Sequence, residues 1–186
     1  MINETKTLNE QVGTSLTKNT TSTDRFYPTG LVTIIKNVGK DNEEVIVDHK
    51  PNLLTTEGKA WVHDQLYQLC SGQTGGAAFI ALSNDSHTPV VADTRATFEA
   101  FEETTNGLAR VACSTTNKSY AAGTSKSTLQ HTFTCNTGAV SGIRLSALFN
   151  NTKASGTSKL VHEASFTAVD LQVNDTLQVT WEITLS

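Results

Sequence analysis

The chain has 186 residues, 37% of them hydrophobic and 17% charged, with a formal net charge of −4 and a pI near 5.7. That length implies one domain, with material left over for an arm or an extra hairpin. Lys and Arg are scattered singly, no apolar run approaches the ~20 residues of a membrane helix, and residues 1–18 lack the apolar core of a secretory signal. The expectation is a protein made in the cytosol, with neither nucleic acid nor membrane among its partners.

Residues 1–23 form a polar Asn/Thr/Lys segment without a period. Two readings fit it: a disordered tail, or an arm that orders only against a neighbouring subunit. From Gly30 the pattern changes. Residues 31–38 read as a strand, 39–42 as a turn and 43–49 as the returning strand of a hairpin spanning 30–49, stopped by Lys50-Pro51-Asn52.

A helix follows over 56–69. Trp61, Val62, Gln65, Leu66 and Leu69 share one face, Thr55 or Thr56 supplies the N-cap, and Glu57 suits the positive first turn. Residues 77–83 are a short, nearly all-apolar strand expected to be central, and 84–89 a loop of turn formers. Residues 94–103 fit either a helical turn around Phe98 and Phe101 or an edge strand.

Residues 107–113 read as a strand, 115–127 as a long hairpin tip, and 129–135 as a cleanly alternating strand. Strands over 140–149 and 160–169 flank a loop at 150–158. At the C-terminal end Leu177, Val179, Trp181, Ile183 and Leu185 alternate with Gln178, Thr180, Glu182 and Thr184, behind the turn signal Asn174-Asp175. Such alternation is a strand with one buried and one wet face. Ser and Thr make up about a quarter of the chain and hydrate strand surfaces without charge. Eight or nine strands at this spacing give a mainly β chain. The expected fold is an antiparallel β-sandwich (jelly-roll or Ig-like) with one helix packed on it and an N-terminal arm plus hairpin: an arm at 1–23 and a single domain at 24–186.

Catalytic and metal signatures are missing from the local sequence. His49, His63, His87, His131 and His162 sit on separate elements, and none has HExxH or His-x-His spacing. His162 and Glu163 are neighbours on a strand, so their side chains should point to opposite faces. Asp85-Ser86-His87 contains hydrolase residue types but no nucleophile elbow, and Asn84-Asp85 reads as an Asx-type turn. Asp85 with Asp93, or Asp170 with Asp175, lacks the Asp-x-Asp-x-Asp pattern of a Ca²⁺ loop. Cys70, Cys113 and Cys135 form no CxxC pair, and the latter two read as small buried thiols. Trp61 and Trp181 belong to apolar faces, whereas Tyr27 and Tyr120 sit in polar segments suited to outside contacts. The expectation is no enzyme, no cofactor and no metal.

Several phrases occur in a recognisable order: Asn52-Leu53-Leu54-Thr55-Thr56-Glu57-Gly58, then Ile80-Ala81-Leu82-Ser83-Asn84-Asp85 leading to Pro89, then Ala92-Asp93-Thr94 and Gly107-Leu108-Ala109-Arg110. Gly142-Ile143, Ala147-Leu148-Phe149-Asn150 and Asp175-Thr176-Leu177-Gln178-Val179-Thr180-Trp181 complete the string. Over residues 51–186 the chain resembles small β-sandwich virion proteins of head-tailed viruses of bacteria and archaea. The resemblance implies a structural protein of the virion, a capsid decoration (cement) or tail component, whose partners are copies of itself and other virion proteins. Phe26, Tyr27 and Pro28 at the base of the arm, and Tyr120 in the 115–127 tip, are the expected contact residues. The alternative is a carbohydrate- or receptor-binding sandwich that uses loops 83–89, 115–127 and 150–158 on a host-surface glycan. The aromatic-poor loops count against it.

Overall fold

The computed structural model describes residues 28–67, 76–113, 118–121, 126–153 and 156–185. In chain order the elements are β1 (Pro28–Lys36), β2 (Glu44–Pro51), β3 (Leu53–Leu54), α1 (Thr56–Tyr67), β4 (Phe79–Ser83), α2 (Arg95–Glu99), β5 (Val111–Ala112), β6 (Lys118–Ala121), β7 (Lys126–Thr134), β8 (Val140–Phe149), β9 (Leu160–Leu171) and β10 (Thr176–Leu185). They build two five-stranded antiparallel sheets: sheet I in the order β2-β1-β10-β7-β6, and sheet II in the order β3-β9-β8-β4-β5. The mainly β expectation is met.

The alternation of β10 explains how the sheets meet. Leu177, Val179 and Trp181 are fully buried and share one apolar cluster with Val32, Ile34, Leu129 and Phe133 of sheet I. Ile80, Leu82, Ile143, Leu148, Ala164 and Phe166 of sheet II join the same cluster. Across it the Trp181 indole N–H donates to Ser146 Oγ at 3.3 Å, so the one polar atom of a buried ring is satisfied. The turn before β10 is closed by Asp175, whose carboxylate accepts from Gln172 N at 2.9 Å and Asn37 Nδ2 at 3.1 Å.

Sheet II is buried on both faces. Its far side carries Ala81, Leu145, Ala147, Phe149 and Leu160, which pack under Phe98 and Phe101 of the segment around α2. Strands buried on both faces lose their alternation. The burial of β9 is accordingly continuous from Leu160 to Ala164.

Thr55 Oγ1 caps α1, accepting from Gly58 N at 2.9 Å, and it donates to the Leu160 carbonyl at 2.7 Å. Gly58 is required by contact: a Cβ there would stand 2.3 Å from the Val161 carbonyl oxygen. The role assigned to Glu57 is wider than a helix-dipole partner, because its carboxylate accepts from Arg95 N at 2.7 Å and Leu160 N at 3.1 Å.

Two boundaries differ from the sequence reading, and one ambiguity is resolved. The hairpin read over 30–49 lies in sheet I, where β1 pairs with β10 over its whole length and contributes Val32 and Ile34 to the core. Of the strand read over 107–113, only Val111–Ala112 pairs, because Gly107 adopts φ +82° with the Thr134 carbonyl where a side chain would go. The tip read over 115–127 contains β6, the edge of sheet I. The ambiguous 94–103 segment is helical over α2. There Thr94 Oγ1 accepts from Thr97 N at 3.3 Å while Thr97 Oγ1 accepts from Thr94 N at 3.4 Å, a reciprocal cap that an edge strand would forfeit.

Candidate functional site

Of the four expected contact residues, Phe26 and Tyr27 lie outside the described residues, as does the arm at 1–23. Pro28 opens β1 opposite Leu185, and Tyr120 lies on edge strand β6 opposite Ser127. The register connects them. Gly30 pairs with Ile183, Ile183 with Ser127, and Ser127 with Tyr120, so one row across sheet I runs from β1 to β6. Pro28 stands two residues beyond that row, at the same end of the sheet. The outward side of this sheet is a ladder of amides and hydroxyls. Gln130 Nε2 donates to Thr180 Oγ1 at 2.9 Å, and Gln178 Nε2 to Thr132 Oγ1 at 3.2 Å. Glu182 is neutralised there by Lys126 at 2.7 Å.

Cys70 lies outside the described residues. Trp181 is core, and Cys113 and Cys135 are buried. His162 turns inward, its ring 6.2 Å from that of Trp181, and burial lowers its pKa to about 4. His49 is exposed beside Asp48 and Glu182. His131 packs edge-on to Phe133 with centroids 4.7 Å apart, and burial lowers its pKa.

His87 is different. Asp85 Oδ1 accepts from His87 N at 2.7 Å, the Asx-type turn that the sequence suggested. The His87 ring leans on Phe101 with centroids 5.3 Å apart, and its Nε2 lies 2.8 Å from Asp93 Oδ2. The same Asp93 oxygen accepts from Val90 N at 2.7 Å, within a turn closed by Asp93 N donating to the Val90 carbonyl at 3.0 Å.

Beneath this loop, facing away from His162 as strand geometry requires, stands Glu163. It occupies β9 between Leu53 of β3 and Ala147 of β8. One ligand-type atom from each of His87, Asp93 and Glu163 falls within 4.8 Å of the others. Glu163 is fully buried, and among the described residues no donor reaches either of its carboxylate oxygens; its polar neighbour is the Asp93 carboxylate, to which it can hydrogen-bond only when protonated. Burial first, and the Asp93 charge second, push its pKa up to about 7. The hydrogen bond to Asp93 raises the His87 pKa above its ordinary value, against a smaller lowering from burial.

A second buried charge cluster lies beyond α2. Arg110, its side chain 2% exposed, holds Glu102 in a fork at 3.0 and 2.7 Å and Glu99 at 3.1 Å. It also donates to Ser158 Oγ at 2.9 Å and to the Asn151 carbonyl at 3.3 Å, with its guanidinium 3.5 Å above the Phe149 ring. Both ends of the 150–158 loop are thereby engaged inside the protein.

Sequence reasoning named His87, Asp93 and Glu163 separately and did not join them. The available signal was a lone carboxylate between Leu160 and Val169 in the middle of a strand. Compared with protein-family models, curated proteins and solved structures, the chain matches none of them.

Proposed function

We propose that the chain is a non-enzymatic structural protein of a tailed virus particle, a capsid decoration or tail component that binds copies of itself and other virion proteins. In this reading the two sheets form a sandwich of the jelly-roll or Ig-like kind with α1 packed on it, and the protein resides in the virion. The sequence resemblance over residues 51–186 motivates the viral assignment. One observation supports the mode of action: the strand register brings the start of β1, which residues 1–27 precede in the sequence, and the edge strand carrying Tyr120 to the same end of sheet I. The adjoining wet face is a nearly charge-balanced Thr/Gln ladder, which limits repulsion between closely spaced copies. Association of such a face with cyclic symmetry needs no catalytic group.

Absolute mass by light scattering, on the full chain and on a variant lacking residues 1–23, tests the reading. A defined oligomer that dissociates without residues 1–23 is the expected result. Monomers from both proteins would remove arm-driven assembly and favour the glycan-binding alternative, which an array of host-surface oligosaccharides would then probe.

A further inference from the structure

We propose that His87, Asp93 and Glu163 are the protein ligands of one divalent transition-metal ion, of the zinc or manganese class, which ties the connection between β4 and α2 to strand β9. The inference is independent of the proposed virion role. It starts from convergence. Three residues from a loop, a turn and a strand bring one imidazole nitrogen and two carboxylates within 4.8 Å of one another. Ligand atoms each about 2.1 Å from an ion are about 3–4 Å apart, so the 2.8 Å separation of His87 Nε2 and Asp93 Oδ2 is close to the required geometry.

The independent observation is Glu163. A fully buried carboxyl group whose two oxygens accept nothing is rare, because native proteins pair buried polar atoms. Its side chain stands in the cluster where the ion would lie. By contrast, the other two ligands are already held in place. Val90 N fixes Asp93 through the same oxygen that meets His87, and Asp85 with Phe101 fixes His87. Such outer contacts orient ligands before an ion arrives. The donor set selects the ion. Ca²⁺ asks for six to eight oxygens and Mg²⁺ for an octahedron of them, whereas one imidazole with two carboxylates suits zinc or manganese. His87, 24% exposed, faces the solvent side, while Asp93 and Glu163 are shut in, so water would supply the remaining ligands from that side, one for zinc and three for manganese.

The ion would complete an anchor that is otherwise made of few bonds. The loop is held to α1 by Thr56 N donating to the Val91 carbonyl at 2.8 Å, and to Glu57 through Arg95 N. A cation at Glu163 adds the missing link to sheet II. The competing occupant is a proton, which would leave Glu163 neutral against Asp93.

Titration calorimetry with Zn²⁺, with Mn²⁺ and with Ca²⁺ as the control, on the full chain stripped by chelator at pH 7.5, separates the two. Thermal unfolding with and without each ion accompanies it. The expected result is one equivalent bound per chain and a raised unfolding midpoint. Glu163→Gln keeps the shape, removes the charge, and should lose at least tenfold in affinity together with the midpoint shift. His87→Asn, on the loop, should do the same, whereas His49→Ala should bind as wild type does. Three results would overturn the assignment: no stoichiometric uptake of either ion, uptake that Glu163→Gln leaves unchanged, or uptake of Ca²⁺ alone. A Glu163→Gln variant that is simply more stable, beside a wild type indifferent to both ions, would assign the proton.

Discussion

Two buried charge clusters flank α2 on the outer side of sheet II, and they differ in how their charges close. Around Arg110 every strong group has an opposite: two carboxylates face a guanidinium and Lys153, and the guanidinium's remaining N–H groups reach Ser158 and Asn151. Around Glu163 the account stays open, with two carboxylates facing one imidazole and one carboxylate accepting nothing. Both are desolvated, so the contrast is one of stoichiometry. A closed cluster fixes geometry and offers nothing to a ligand. An open one carries unspent negative potential, the condition under which a cation is bound.

The largest expected effect breaks the closed cluster. Arg110→Met leaves Glu102, whose side chain is fully buried, without its principal partner, and should destabilise the fold by about 3–5 kcal/mol in urea unfolding. The matching change in the open cluster should do the opposite. Above pH 7 and without metal, Glu163→Gln should stabilise by about 1–3 kcal/mol, because it removes a buried charge that the fold disfavours.

The sign follows from the shifts. The Glu163 pKa rises from 4.5 to about 7, so its contribution is complete below about pH 4.5 and is lost as pH climbs to about 7. The charges facing Glu163 are those of Asp93 and His87. His87, also raised, loses its contribution in the same direction as pH rises through its folded value. Metal-free wild type should therefore lose stability across pH 4.5–7 more steeply than Glu163→Gln. Equal slopes would contradict the buried charge.

Gly58→Ala comes next. Its Cβ would collide with the Val161 carbonyl and push the first turn of α1, with Glu57, off β9, at about 1–3 kcal/mol. Because Thr56 and Glu57 hold the loop over Glu163, this variant should speed amide exchange over 87–93 and spare Arg110–Glu102. The smallest effect belongs to Thr94→Ala. It removes the cap between the two clusters and should cost about 1 kcal/mol, with faster exchange at Thr97.

How much of this was legible depends on how far each signal reaches along the chain. β10 could be read from its own ten residues, because sheet I is buried on one face and the alternation survives. β9 read as a strand without clean alternation, since sheet II is covered on both sides and polar His162 and Glu163 stand side by side among its buried residues. The hairpin at 30–49 was legible as local pairing, yet the placing of β1 between β2 and β10 depends on the C-terminal strand, which sequence spacing does not encode. The charge clusters are the extreme case. The opposite facing of His162 and Glu163 followed from strand geometry, but what covers Glu163 is set by a loop seventy or more residues away in the chain. Asp85 looked as suitable as Asp93; only the turn at Val90 decides which carboxylate meets His87 and which one caps it.

The most direct test of the contrast is anomalous diffraction at the zinc edge from crystals of the full chain equilibrated with Zn²⁺. The account predicts one strong peak within coordination distance of His87 Nε2, Asp93 and Glu163, and none at Arg110. Density for a metal-free Glu163 carboxyl hydrogen-bonded to Asp93, with no peak between them, would contradict it.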